Sequence, residues 1–195
     1  MALAVPLSRF TPRVGGGSAF FVRPLDTMLV RTANAADAQK VAQIHVETWR
    51  TAYRGQVSDA VLDSQSVERR AAFWRERLTQ AKGSVFVAEN GDVIGFCDLV
   101  PSRDRDASQL VGEIVAIYVH FQHWRRGAGR ALCDCALAEA RRRGYEVVTL
   151  WSLASNSSAR RFYEAMGFSL DGATKTEKAS DGSELHEVRF RRRVA

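Results

Sequence analysis

The sequence predicts one α+β domain, and three observations carry that prediction. At 195 residues the chain suits a single hydrophobic core. Short β-branched and aromatic runs interleave with longer segments whose apolar residues recur at helical spacing. The run Glu113-Ile-Val-Ala-Ile-Tyr-Val119 reads as a strand. It passes through a basic, glycine-bearing turn straight into Arg130-Ala-Leu-Cys-Asp-Cys-Ala-Leu-Ala-Glu-Ala140, which is dominated by strong helix formers.

In order along the chain, Met28 to Thr32 reads as a first strand. Asn34 to Ala52 reads as a helix with Val41, Ile44, His45 and Thr48 on one stripe, where His45 is a packed or partly exposed residue rather than a ligand or base. Thr51 to Gly55 and Val57 to Leu62 form a connecting region. A second helix spans Val67 to Gln80, capped by Ser66 and presenting Ala71, Trp74 and Leu78. Val85 to Glu89 and Asp92 to Val100 form a hairpin, with Asn90-Gly91 predicting a type I′ turn. Pro101 to Gln109 is a polar loop before the strand ending at Val119. Val147 to Trp151 is another buried-strand pattern. Asn156 can cap the helix after it, and Gly167 can end that helix in the left-handed conformation. Phe168 to Leu170 follows as a strand, Asp181-Gly182 marks a turn, and Leu185 to Arg192 alternates as a last strand.

The turn before the third helix carries the first chemistry. Gly127 and Gly129 have no Cβ, so a ligand can approach the backbone there. The amides from Arg126 to Arg130, Ala128 included, then point outward from a helix N-terminus, and Arg125, Arg126 and Arg130 add full positive charge. A phosphate or pyrophosphate is expected on this turn, although a lone Gly-x-Gly can also serve only to join strand to helix. No Gly-Lys-Ser/Thr follows, and no third glycine stands at Ala131 or Leu132, which disfavours P-loop NTPases and dinucleotide-binding dehydrogenases.

A second segment sharpens the reading. Asn156-Ser-Ser-Ala-Arg-Arg-Phe-Tyr-Glu-Ala-Met-Gly-Phe168 places Asn156 and Tyr163 two helical turns apart, on one face. It holds Asn156, Ala159, Phe162, Tyr163, Glu164, Gly167 and Phe168 in the pattern N-x-x-A-x-x-(F/L)-Y-E-x-x-G-F. With the earlier turn, which is similar to (Q/R)-x-x-G-x-(G/A), the chain resembles the GCN5-related N-acetyltransferase (GNAT) superfamily from about Met28 onward. Trp124 stands where that pattern has Gln or Arg, a small departure because such a turn binds pyrophosphate mainly through backbone amides.

The resemblance implies a GNAT fold: a mixed, mostly antiparallel sheet of six to seven strands with helices on both faces and splayed central strands. It implies acetyl-CoA as co-substrate, no metal, and transfer of the acetyl group to a primary amine of a small molecule or peptide. Backbone groups of Ile117 and Val119 would pair with the pantetheine amides, and the Val119 amide could polarise the acetyl carbonyl. Tyr163 would donate a proton to the departing sulfur, and Asn156 would act as cap, coenzyme contact or both. Glu113 is the candidate base for the amine, since a carboxylate beside a cleft could have a raised pKa; a solvent-facing strand residue or a salt bridge to an arginine is the alternative. Acetyltransferases of ribosomal-protein N-termini carry a glutamate five residues before the asparagine, where this chain has Trp151. Trp49, Tyr53, Trp74 and Trp151 either line an acceptor pocket or belong to the core. The competing reading is a GNAT-fold module that binds acetyl-CoA without turnover, as a sensor or scaffold; Tyr163 and the intact turn favour catalysis.

Composition bounds the rest. The net charge of +6 is spread through arginines such as Arg69-Arg70 and Arg141 to Arg143, which reads as solvated faces rather than a nucleic-acid surface. No apolar run approaches the roughly 20 residues of a membrane span. Cys97, Cys133 and Cys135 show no pairing pattern and read as reduced thiols in a cytoplasmic protein; a homodimer is left open. Residues 1–26, ahead of the domain at 27–195, hold three arginines and a Gly-Gly-Gly-Ser run before the first acid. They read as a disordered extension, a transit-like segment, or a start called too early with Met28 as the true start.

Overall fold

The computed structural model describes residues 28–55, 57–80 and 83–194; the extension expected over residues 1–26 lies outside the described residues. β1 is Leu29–Thr32. The helix expected from Asn34 begins as a 3-10 turn, Ala35–Asp37, and continues as α1, Ala38–Tyr53. Asn34 accepts from the Ala36 amide at 2.9 Å while Asp37 accepts from the Asn34 amide at 2.8 Å, a reciprocal cap that tightens the first turn. The connecting region holds a short helix, α2 (Asp59–Asp63), capped by Ser58. One turn of helix has too little periodicity to be read from sequence. α3 spans Val67–Thr79, and Ser66 caps it as expected, accepting from the Arg69 amide at 3.2 Å.

β2 (Ser84–Glu89) and β3 (Val93–Pro101) form the expected hairpin. Its turn is not type I′, which needs positive φ at both central residues; only Gly91 has it, at +74°. Instead the Asn90 amide donates to the Asp92 carbonyl at 2.9 Å, and the register shifts at Glu89. β4 is Val111–Val119, α4 Ala128–Arg142, β5 Val147–Leu153 and α5 Ser157–Ala165. β6, Ser169–Lys178, runs far beyond the three residues expected of it. It is exposed almost throughout, so no hydrophobic alternation announces it, and Gly172 at φ +91° sits within its register shift. β7 is Glu184–Arg193.

The sheet order is β1-β2-β3-β4-β5-β7-β6, antiparallel except for the β4–β5 pair. Side chains alternate between faces along β3 and β4. Gly95 and Val119 meet Leu132 of α4 on one face, while Phe96 and Tyr118 pack on His45 of α1 on the other. Helices therefore cover both faces, with α1 and α3 opposite α4. The parallel pairing lasts only from Val111↔Val147 to Glu113↔Thr149. Just beyond, Val115 is an extra residue on β4, bulged between the pairs Asp98↔Ala116 and Leu99↔Ile114. A bulge bends its strand, and here β4 leaves β5.

The short paired segment has no slack. A Cβ on Gly112 would lie 2.6 Å from the ring of Tyr145, which is itself buried. Gly112→Ala should therefore destabilise the fold by about 1–3 kcal/mol through overpacking. A urea melt showing an unchanged midpoint would contradict the assignment.

Candidate active site

The gap between β4 and β5 is lined by backbone. The His120 amide donates to the Ile94 carbonyl at 2.8 Å, which sets the phase of the β3–β4 ladder. Residues in an antiparallel pair alternate between bonding their partner and turning away. Tyr118 and Ala116 thus bond β3, while the backbone groups of Ile117 and Val119 face the gap. The Val119 carbonyl is already occupied: Trp124 Nε1 donates to it at 2.6 Å and Thr48 Oγ1 at 3.3 Å. That leaves Val119 its N–H, and it shows what Trp124 does at the departing motif position.

The turn at the mouth of the gap is built on two left-handed residues, Arg125 at φ +62° and Gly127 at +91°. Gly127 is the N-cap of α4, and no side chain caps it. The first amides of a helix have no intrahelical partner, so those of Ala128, Gly129 and Arg130 remain for something else. A Cβ at Gly127 would meet nothing within 4 Å, so the space beyond the turn is open; one at Gly129 would touch the Phe162 ring at 3.5 Å. Arg125, Arg126 and Arg130 are exposed around it.

α5 carries the second motif, and its Phe162 ring lies against the turn at Gly129. Asn156 is buried, and its Oδ1 caps the helix by accepting from the Ala159 amide at 3.0 Å. Its side chain also bonds Tyr53, at the end of α1. Tyr163 is fully buried, with its ring packed at 5.5 Å from Phe190 and 6.2 Å from Phe168. Its hydroxyl finds no hydrogen-bond partner among the described residues. Burial pushes the Tyr163 phenol well above its usual value of 10.

Glu113 corrects an expectation. It stands at the last paired position of β4 and is 2% exposed. Burial alone would raise its pKa, but Arg103 donates to it at 2.6 and 3.1 Å from the guanidinium and at 3.0 Å from its amide. The net shift is downward. Glu113 is a carboxylate fixed in a salt bridge, not a group with a raised pKa. Arg103 went unread because it lies across a loop, at no helical or strand spacing from Glu113.

On the α1–α3 face of the same strands, His45 is packed as expected, its Nδ1 accepting from Trp74 Nε1 at 3.3 Å. Trp49 and Trp74 are buried, yet both reach a cavity on this face. Trp151 lies elsewhere, under Lys175 at 4.6 Å and bonded to Asp104 at 3.0 Å. The described residues contain no metal-ligating cluster, and no helix among them is long and apolar enough to cross a membrane.

An open parallel strand pair with a basic helix N-terminus at its mouth is the arrangement that the resemblance to acetyltransferases implies. Residues 31–168 match the model of the acetyltransferase (GNAT) family. The uncharacterized N-acetyltransferase YuaI of Bacillus subtilis is 34% identical over 138 residues, 70% of this chain and 77% of the relative. YhfO of the same organism, also an uncharacterized N-acetyltransferase, is 30% identical over 145 residues, 74% of this chain and 91% of its own length. The protein yncA of Salmonella typhimurium, solved with its cofactor acetyl-CoA, shares the fold at a TM-score of 0.63 and 24% identity, over 86% of this chain and 94% of that one. The chain belongs to the acetyltransferase (GNAT) family.

The Arg103–Glu113 pair has a pH signature. Because the folded pKa of Glu113 lies below 4.5, its stabilisation is complete above that pH and is lost as pH falls through the folded value. Arg103→Ala should cost about 1–3 kcal/mol at pH 7, less than a fully buried pair because Arg103 is largely exposed. The deficit should shrink below pH 4. Urea melts at both pH values check this, and a deficit independent of pH would refute it.

Proposed function

We propose that this protein transfers the acetyl group of acetyl-CoA to a primary amine of a small molecule or peptide, in the cytoplasm. The observation that carries the reading is the Tyr163 hydroxyl, buried and without a partner among the described residues. Orphaned buried polar atoms are rare and cost about 1–3 kcal/mol each. Such a group fits a reacting atom that arrives with the substrate. The three free cysteines agree with a reducing compartment.

The residues present suit acetyl-CoA. The amides from Arg126 through Gly127, Ala128 and Gly129 to Arg130 would hold its pyrophosphate, with Arg125, Arg126 and Arg130 supplying charge. The gap-facing groups of Ile117 and the N–H of Val119 would bind the amide-bearing arm as an added strand does. When bound, acetyl-CoA supplies an acyl group already activated as a thioester. The Val119 N–H would then polarise the acyl oxygen.

Tyr163 would hold a proton at its Oη for the departing sulfur. A phenol with a raised pKa keeps that proton at neutral pH. The transfer need not be uphill, because burial also raises a thiol, as it does at Cys97. Asn156 acts through position: by capping α5 it fixes the helix that carries Tyr163. Glu113, committed to Arg103, is a weak candidate for taking the amine's proton. Its salt bridge instead pins the loop after β3 beside the fork. The relatives named as N-acetyltransferases, and the acetyl-CoA held by yncA, support the same donor.

Tyr163→Phe should lower kcat ten-fold or more in a thiol-release assay while leaving coenzyme A affinity nearly unchanged. An unaltered rate removes Tyr163 from the role. Gly127→Val should fold, since no neighbour blocks its Cβ, but should strain the left-handed backbone and intrude where the phosphate approaches. Calorimetry should show coenzyme A binding weakened at least ten-fold; wild-type affinity would overturn the turn assignment.

A further inference from the structure

A cavity of about 300 Å³ lies between α1, α3, β3 and β4. Trp49, Trp74 and Phe73 give it aromatic walls, and Val115 and Ala116 form its floor at the bulge where β4 parts from β5. Its volume is at the small end of ligand sites and suits one small molecule. Three charged groups line it besides His45, which burial holds neutral by pushing its pKa well below 6.5. Two of the three are matched. Asp98 accepts from Arg77 at 2.5 and 3.1 Å, and Arg103 is bound to Glu113.

The third is Arg70. It is half-buried, its Nη2 donates to the neutral Gln65 Oε1 at 2.8 Å, and its guanidinium stands 5.9 Å from the Phe73 ring. Among the described residues it has no carboxylate within 4 Å; other arginines share that, but of the two that line the cavity Arg103 has one and Arg70 does not. Burial lowers the Arg70 pKa, yet a guanidinium remains charged. A partly desolvated cation without a counter-charge, facing a cavity, favours an anion, and its planar fork matches a carboxylate.

We propose that Arg70 is the anion-recognising group of the acceptor site, and that the acceptor is a free amino acid whose carboxylate Arg70 binds. This rests on the transferase reading above. With the carboxylate at Arg70, a small amine lies against Val115 and Ala116, next to Ile117, whose backbone faces the gap. The aromatic walls take the acceptor's apolar part.

The test compares the twenty L-amino acids with their carboxamides, which keep the amine and side chain and lose only the anion. With acetyl-CoA, the best acid should exceed its amide at least ten-fold in kcat/KM. Arg70→Gln should raise KM for the acid about ten- to a hundred-fold, with kcat and the amide's constants little changed. Arg70→Lys should recover part of the loss. Direct calorimetric binding of the same acids separates the two readings. Acid binding that is lost in Arg70→Gln, without thiol release from any acceptor, upholds the site and sinks the transferase reading. Amides used as well as acids, or an acid KM unmoved in a variant that melts like wild type, overturns the Arg70 proposal. Should Arg70→Gln not fold, the acid-over-amide ratio of the wild type decides alone.

Discussion

The rest of the structure depends on a pairing that stops early. β4 and β5 share only three residue pairs before the Val115 bulge turns β4 away. Continued pairing would have consumed the backbone groups of Ile117 and Val119 in a ladder and left the sheet closed. Because it stops, those groups line an opening, and elements other than β5 must hold β4 in place. β3 does so through its antiparallel ladder, and Thr48 and Trp124 do so by bonding the Val119 carbonyl. The surrounding core is what makes the fork affordable. Gly112 packed under Tyr145 below it and Leu132 against Gly95 beside it are rigid contacts.

Much of this was legible in the sequence because it rests on local rules. The glycine turn, the Asn156 cap and the Gly167 stop depend on what one residue's backbone can do, and Gly127 and Gly167 are indeed left-handed at φ +91° and +78°. The family resemblance then implied the mixed sheet and its splayed central strands, which local rules could not. What escaped was non-local or weakly patterned. β6 is exposed on nearly every residue, so burial left no periodic trace in it. The Asn90-Gly91 turn was decided by the bulge at its base rather than by the dipeptide's own preference. At the site, Glu113 could be named from its strand position, but its charge state was set by Arg103, whose contact exists only after the loop folds back. Arg70 read as one more arginine on a solvated helix; only the cavity before it distinguishes it.

The distribution of charge separates structural arginines from the rest. Arg189 bonds Asp104, Asp106 and Asp171, tying the β3–β4 loop to the β6–β7 hairpin. Arg31 bridges Asp37 and Glu89, joining β1 to the start of α1 and the end of β2. Arg77 neutralises Asp98, whose burial would otherwise be costly. These cations are spent on holding loops and termini against the sheet. Arg126, Arg130 and Arg70 have no carboxylate within 4 Å among the described residues, and they stand at the mouth of the gap and in the cavity behind it. Three of the arginines without a carboxylate partner thus stand around the gap and the cavity.

That location bears on how the two halves of a reaction would be kept in order. The turn at Gly127 approaches the β4–β5 gap from the C-terminal ends of the strands, while the Arg70 cavity meets β4 from the α1–α3 face at Val115 and Ala116. A donor bound by backbone amides and an acceptor bound by a guanidinium would thus meet at one strand segment from different directions. Neither needs to displace the other, and each brings negative charge to a cationic site of its own. The bulge at Val115 serves both: it frees the backbone facing the gap and shapes the floor of the cavity. A single extra residue in β4 is where donor geometry and acceptor geometry become one constraint.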